Sequence, residues 1–174
     1  MRNQASIQIN RSAADVYAYV TNPNNAAYWQ VDVNRYEFIA HSDTGAGTQI
    51  RWIFNAGPYQ LEVIETIITA EPRHLFASKH MLTRFISGPP AKPGEQGDTA
   101  DTLAQQFRMA YGQGNPGGLV AVNITPDGAD RCILEIRMET EIGGSAGLIT
   151  RVSRLLGRNA LKKSLQHLKS VLDP

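Results

Sequence analysis

Cysteine is nearly absent from this chain, and its scarcity excludes two classes of structure. Cys132 is the only cysteine among 174 residues, so the chain can form neither an internal disulfide bond nor a cluster of thiolate metal ligands. The four histidines are scattered, without the spacing at which histidine, cysteine and carboxylate side chains bind a metal together. We therefore expect neither a metal ion nor another cofactor.

A strong charge of either sign and long apolar runs are also lacking. The formal net charge is +1, which gives no general attraction to nucleic acid or to an anionic membrane. No apolar stretch approaches the roughly 20 residues that cross a bilayer, and the N-terminal MRNQASIQIN lacks the apolar run of a signal peptide. These absences predict a single cytoplasmic domain spanning residues 1–174, with no nucleic-acid partner.

The regular part of the sequence predicts an α+β fold. A short strand is followed by a helix start at Ser12, where Asp15 completes a capping box, and by a second short helix that ends near Trp29. From Val33 onward the apolar period changes to two, which predicts about six further strands joined mostly by short turns. Such connections favour an antiparallel sheet. We expect Trp29 to be buried and to hold the two helices against the domain.

One segment, residues 81–118, interrupts this pattern. It contains the glycine- and proline-rich stretches SGPPAKPGEQG and GQGNPGG, which are typical of flexible links. Residues 101–110 between them fit either a short helix or a strand. Long irregular segments in small domains are often lids or binding loops, so we predict an insertion over an otherwise compact sheet.

A long final helix is predicted from Gly147 to Leu172, because no proline interrupts a run of good helix formers. Its second half carries one apolar stripe, which we expect to close the core: Leu161, Leu165, Leu168 and Leu172. In its first half the same side carries small and polar residues: Gly147, Thr150, Ser153, Arg154 and Gly157. The helix therefore either bends near Gly157 or presents this small, polar face to the sheet.

Two other surfaces of the final helix suggest contacts. The apolar residues of its first half point outward and need the insertion, a partner protein or a second copy of the chain to cover them: Leu148, Ile149, Val152, Leu155 and Leu156. A basic row is more typical of a solvated face, although transient contact with an anionic membrane surface is an alternative: Arg151, Arg154, Arg158, Lys162 and Lys169. Because no aromatic residues interleave with this row, we expect no nucleic-acid binding.

The chain resembles the SRPBCC superfamily, which includes START lipid-transfer domains, pathogenesis-related allergen-like proteins and bacterial polyketide cyclase/dehydrase-like proteins. The resemblance rests on the order of five stretches: INRSAADVY from Ile9, GTQIRW from Gly47, AEPRHL from Ala70, the Pro126–Gly128 turn and the leucine-rich last helix. It implies a helix-grip fold, in which a curved antiparallel sheet of about seven strands wraps around the C-terminal helix. It also implies a deep apolar cavity between them. It does not imply a reaction, because only some members are enzymes.

Four ionisable residues are candidates for chemistry or for anchoring a ligand within such a cavity. Glu65 lies between Val63 and Ile67 on the more apolar face of its strand, where a carboxylate could orient a ligand or move a proton. We favour the alternative, in which a twist or bulge turns Glu65 to solvent. His80 and Arg84 are similar: they could anchor a ligand, but we favour positions at the rim. Arg154 is the third weak catalytic candidate beside Glu65 and His80.

Other residues are predicted to contact a ligand. In the sheet these are Trp52, Phe54, Phe76 and Met138, although plain core packing is the stronger interpretation for Phe76. The remaining candidates come from the irregular segment and the final helix: Phe107, Tyr111, Thr150, Ser153 and Arg154.

Three functions remain open at this stage. The leading hypothesis is binding, transport or sequestration of a hydrophobic or aromatic small molecule in the cavity. The second is a polyketide aromatase/cyclase-like enzyme, which requires at least two of Glu65, His80 and Arg154 to converge inside the cavity. The third is an interaction module of the antitoxin or co-chaperone kind, which would use the outward-facing leucines of the final helix.

Overall fold

The computed structural model describes residues 2–43, 45–56, 59–71, 74–87, 117–140 and 158–173. These residues form seven strands and three helices. The strands are β1 (Arg2–Ile9), β2 (Val33–Ala40), β3 (Gln49–Ala56), β4 (Tyr59–Glu71), β5 (Leu75–Ser87), β6 (Gly117–Pro126) and β7 (Cys132–Thr140). The helices are α1 (Ala13–Val20), α2 (Pro23–Trp29) and α3 (Arg158–Leu172).

The strands form one antiparallel sheet in the order β1-β7-β6-β5-β4-β3-β2, with β1 and β2 at its edges. Successive strands from β2 to β7 are neighbours, and all but β5 and β6 are joined by short connections. Helices α1 and α2 connect the two edge strands, and α3 packs against β1 and α2. This arrangement confirms the predicted α+β helix-grip fold.

Local sequence signals explain where the first two helices begin. The backbone N–H of Asp15 donates a hydrogen bond to Ser12 Oγ over 3.2 Å, so Ser12 is the N-cap of α1. Asn22 caps α2 through its side-chain oxygen, and Pro23 occupies the first turn, where its missing N–H costs nothing. Because the N-caps Ser12 and Asn22 lie on either side of α1, α2 begins directly after α1 ends.

The main core lies between α3 and the β1-β7-β6 side of the sheet. Leu161, Leu165 and Leu168 of α3 are buried there, which confirms the predicted stripe. On β7, alternate residues Cys132, Leu134 and Ile136 are buried against it, as a period of two requires. Trp29 is 5% exposed and belongs to the same cluster, so its predicted burial is confirmed.

The boundaries of the predicted irregular segment were wrong at both ends. Residues 81–87 continue β5 and pair with β4, where Phe85 lies opposite Leu61 and both side chains are buried. Gly117 and Gly118 begin β6 and pair with Met81 and His80. Backbone pairing across the sheet thus extends both strands beyond what the local sequence indicates. Residues 88–116 lie outside the described residues, and so does the first half of the predicted final helix.

Candidate functional site

A cavity of about 260 Å³ lies between the concave face of the sheet and helices α2 and α3. Its walls are mostly apolar because each strand turns alternate side chains toward it. Strands β3 to β7 contribute Ile50, Trp52, Phe54, Val63, Ile67, Phe76, Leu82, Val120, Val122, Ile136 and Met138, and the helices contribute Ala26, Trp29, Ala160 and Leu161. The mostly apolar lining is typical of small-molecule sites, and the volume is slightly below their lower limit of roughly 300 Å³.

A cluster of polar side chains interrupts this apolar wall. Glu65 is 6% exposed, and its Oε2 accepts a hydrogen bond from the indole Nε1–H of Trp52 over 2.7 Å. Its other oxygen, Oε1, lies 3.2 Å from His80 Nε2, which in turn lies 3.0 Å from the hydroxyl of fully buried Ser78. Three strands therefore converge on one buried carboxylate.

Strand pairing explains how these residues meet. Glu65 lies directly opposite His80 in the β4–β5 ladder, and directly opposite residues share a face of the sheet. Trp52 lies opposite Val63, two residues along β4 from Glu65, which places its ring diagonally across from the carboxylate. Ser78 precedes His80 by two residues and thus shares its face.

The environment of Glu65 favours its ionised form. Burial alone would raise the pKa of its carboxyl group, but the hydrogen bond and charge of His80 act in the opposite direction, together with hydrogen bonds from Ser78 and Trp52. Their combined effect holds the pKa of Glu65 below its ordinary value. The cavity wall therefore contains a carboxylate that remains ionised at neutral pH, beside an imidazole whose side chain is 25% exposed.

A second polar group lines the cavity from the helical side. Ser164 of α3 is 7% exposed, and its Oγ accepts a hydrogen bond of 3.3 Å from the backbone N–H of Val31. A serine hydroxyl can also donate a hydrogen bond, and its proton could be donated to a ligand in the cavity. Nearby, Asp32 also lines the cavity; burial raises the pKa of its carboxyl group, an effect that the charge of Lys163 partly offsets.

The structure brings several of the predicted site residues together. Trp52, Phe54, Phe76 and Met138 all line the cavity, as do Glu65 and His80. Phe76 also packs against the main core, so its side chain contributes to both the cavity wall and the core. The favoured prediction that Glu65 turns to solvent was wrong, because Trp52 and His80 hold its carboxylate among buried side chains.

Arg84 requires a correction, because it does not line the cavity. Its guanidinium group pairs with Glu62 at 2.9 Å, and its side chain is 64% exposed. Glu62 directly precedes the cavity-lining residue Val63 along β4 and therefore lies on the opposite face of the sheet. Arg51 of β3 also approaches Glu62 from that face, at 3.7 Å. Arg84 thus belongs to an ion-pair group on the convex side.

The other predicted contacts lie outside the described residues: Phe107, Tyr111, Thr150, Ser153 and Arg154. Sequence reasoning missed Ser78 and Ser164. A signal existed for Ser164, because it directly precedes Leu165 on the buried side of the helix, where a polar residue needs a partner. Within the described ranges, no group of three or more histidine, cysteine or acidic side chains could hold a metal ion.

Comparisons with known proteins agree with this architecture. A START superfamily protein from Mycobacterium smegmatis has a TM-score of 0.64 at 13% identity, covering 99% of this chain and 97% of that one. Norcoclaurine synthase from Thalictrum flavum, in complex with dopamine and hydroxybenzaldehyde, has a TM-score of 0.59 at 15% identity, and the match covers 98% of this chain and 85% of that one. The di-domain ARO/CYC protein BexL from the BE-7585A biosynthetic pathway has a TM-score of 0.59 at 14% identity, covering 100% of this chain and 48% of BexL.

At such identities these structures establish the fold alone. Among curated proteins, none matches the sequence significantly. None of the helices in the described ranges is long and apolar enough to span a membrane.

The family model described as polyketide cyclase/dehydrase and lipid transport matches residues 2–99, which is more than half of the chain. The chain therefore belongs to the polyketide cyclase/dehydrase and lipid transport family.

Proposed function

We propose that this protein binds a small hydrophobic or aromatic molecule in the cavity between its sheet and α3. The observation that carries the proposal is the apolar cavity of about 260 Å³ with Glu65 and His80 in its wall. Aromatic rings of Trp52 and Phe54 lie 6.2 Å apart along one side, at a spacing that allows a flat ligand to contact both. An apolar body with one hydrogen-bonding group fits this lining.

The polar groups would set the orientation of the ligand. Burying an unpaired carboxylate is costly, yet Glu65 keeps its charge because its two oxygens already accept hydrogen bonds. A carboxylate has about four acceptor positions, so capacity remains for a ligand hydroxyl or amine. Ser164 offers a hydroxyl from the helical side of the cavity. A ligand with a polar group at one end would therefore bind in one orientation.

A direct test is titration with N-phenyl-1-naphthylamine, a neutral aromatic dye that fluoresces in apolar surroundings. The dye should bind the wild-type chain, and the variant Val120→Phe should weaken this binding by about tenfold or more, because it fills the cavity. Ile133→Phe is the matched control, since Ile133 is 43% exposed and does not line the cavity. Absence of dye binding to the wild type, or equal effects of the two variants, would refute the proposal.

A second candidate function is proton transfer to or from the bound ligand, as in a cyclase or aromatase. The contact between Glu65 Oε1 and His80 Nε2 favours it, because this hypothesis requires at least two of its three candidate residues to converge in the cavity, and these two line its wall. A buried carboxylate beside an imidazole can take a proton from carbon next to a carbonyl group. The pair would then return that proton to another atom of the same molecule.

This second function is tested with 2-acetonaphthone in deuterated water. The wild-type chain should accelerate exchange of the methyl protons, which is followed by NMR, and Glu65→Gln should abolish the acceleration. Dye binding by the same variant separates lost chemistry from a lost cavity. If the wild type binds 2-acetonaphthone but leaves its exchange rate unchanged, proton transfer is excluded and the binding function stands.

A further inference from the structure

Strand β2 forms an edge of the sheet that the described residues leave open. Its residues 34–40 bond through the backbone to β3 on one side, and no described segment supplies a partner on the other. The register with β3 is regular from Arg35 to Phe38 and shifts at both ends of that stretch. An open row of backbone N–H and C=O groups is a template for another strand.

The side chains of this edge are unusually apolar for an exposed strand. Phe38 is 47% exposed and its neighbour Ile39 is 42% exposed. Lysine, proline or a short length commonly protects open edges from pairing, and β2 has eight residues with neither lysine nor proline. The opposite edge, β1, is different: α3 packs against it, and Lys169 Nζ donates a hydrogen bond to the backbone oxygen of Gln8.

Charges on β2 are complementary to those of a second β2. Arg35 and Glu37 lie opposite Ile53 and Arg51 of β3 and share the convex face of the sheet, two positions apart, and Glu37 pairs with Arg51 of its own chain at 2.6 Å. Arg35 is exposed and forms no ion pair within the described ranges. When two copies of β2 run antiparallel with Tyr36 opposite Tyr36, each Arg35 lies opposite a Glu37 of the other copy.

The neighbouring registers are unfavourable for the same reason. A two-fold pairing that keeps both sheets continuous must place residues of the same face opposite one another. If the two-fold axis passes through residue 35 instead of residue 36, Arg35 lies opposite Arg35. If it passes through residue 37, Glu37 lies opposite Glu37. Like charges directly opposite are destabilising, so the charge pattern selects the register centred on Tyr36.

We propose that β2 is an interface for a second copy of this chain, and that two sheets join there edge to edge. In this arrangement Phe38 is a diagonal neighbour of the other copy's Tyr36, a distance that aromatic side chains can bridge. Because this pairing uses the same strand of both copies, it is isologous and closes as a two-fold dimer. The interface does not involve the cavity, so it stands or falls independently of ligand binding.

The proposal is tested by sedimentation equilibrium over a wide range of protein concentrations. The wild type should show a monomer–dimer equilibrium. Arg35→Glu should weaken the dimer by roughly tenfold or more, because two attractive contacts become repulsive ones, and Glu37→Arg should do the same. An equimolar mixture of these two variants should dimerise again, since opposite charges then face each other in the mixed dimer. Arg137→Glu, at an exposed position of β7 far from this edge, is the control and should leave dimerisation unchanged.

A second variant covers the case in which a charge reversal disturbs folding, which far-UV circular dichroism would reveal. Ile39→Lys adds a charge to an exposed side chain, and it should give a folded monomer that still binds N-phenyl-1-naphthylamine. A wild type that remains monomeric at the highest concentration would overturn the proposal. A dimer that survives Arg35→Glu and Ile39→Lys unchanged, or a mixture that stays monomeric, would overturn it equally.

Discussion

The two tryptophans of the chain offer a controlled measurement of the hydrogen bond that holds Glu65. Trp29 and Trp52 are each 5% exposed and both line the cavity. Trp52 Nε1 donates to Glu65 over 2.7 Å, whereas the described residues offer no acceptor to Trp29 Nε1. Phenylalanine in place of either removes the same ring atoms and the same N–H. The difference between the two variants therefore isolates the hydrogen bond.

We expect Trp52→Phe to be more destabilising than Trp29→Phe by about 2 kcal/mol. A hydrogen bond to a charged group contributes about 1.5–3 kcal/mol, and Trp52→Phe also leaves part of a buried carboxylate unpaired. Trp29→Phe removes an N–H that has no partner, and so recovers part of its burial cost. In a chain of this length the difference corresponds to about 4–8 °C in Tm.

The assay is urea unfolding followed by far-UV circular dichroism, because each variant loses a fluorophore. The slope with urea should be the same for both variants, so that the shift in midpoint measures stability alone. Equal destabilisation, or a greater loss for Trp29→Phe, would refute the assignment of a stabilising hydrogen bond between Trp52 and Glu65.

Three further predictions follow from the described residues. The pKa of Glu65 is lower in the folded chain than its ordinary value of about 4.3, so its stabilising contribution is complete above that pH and is lost as the pH falls through the folded pKa. Glu65→Gln should therefore flatten this part of a curve of stability against pH, measured by urea unfolding. Cys132 is fully buried, and burial raises the pKa of its thiol, so a thiol–disulfide exchange reagent should modify it only after urea is added. The reaction is measured by absorbance, and rapid modification of the folded chain would contradict the burial of Cys132. Ser12→Ala should cost about 1 kcal/mol in thermal unfolding by removing the cap of α1, and retention of wild-type stability would show that the cap contributes nothing.

Much of the fold could be predicted from local patterns. Leucine spacing predicted the buried side of α3, and along β7 the alternation of the sequence matches the burial of Cys132, Leu134 and Ile136. These predictions succeed because burial on a strand or helix follows directly from the geometry of that one element. The ends of β5 and β6 were missed because residues 81–87 and 117–118 become strands through pairing with neighbours, rather than through their own sequence.

The site depended on information that no single segment contains. Glu65 and His80 meet because β4 and β5 are paired in one register, and that register includes three irregularities, one of them between Ile67 and Thr69. A slip of one residue would turn either side chain to the opposite face, so the sequence alone left the direction of Glu65 open. The same ladder sends Arg84 to the convex side, where it meets Glu62.

The sequence by itself thus indicated the family, through the order of its motifs. It also determined the order of the elements and the apolar faces that build a cavity, because these follow from caps and periodicity. Only the tertiary structure decided which polar residues reach that cavity. Trp52, Glu65 and His80 belong to three different strands, and their convergence depends on cross-strand register and on the bulges that adjust it. Register is a property of pairs of strands, and for this reason it could not be read from either strand alone.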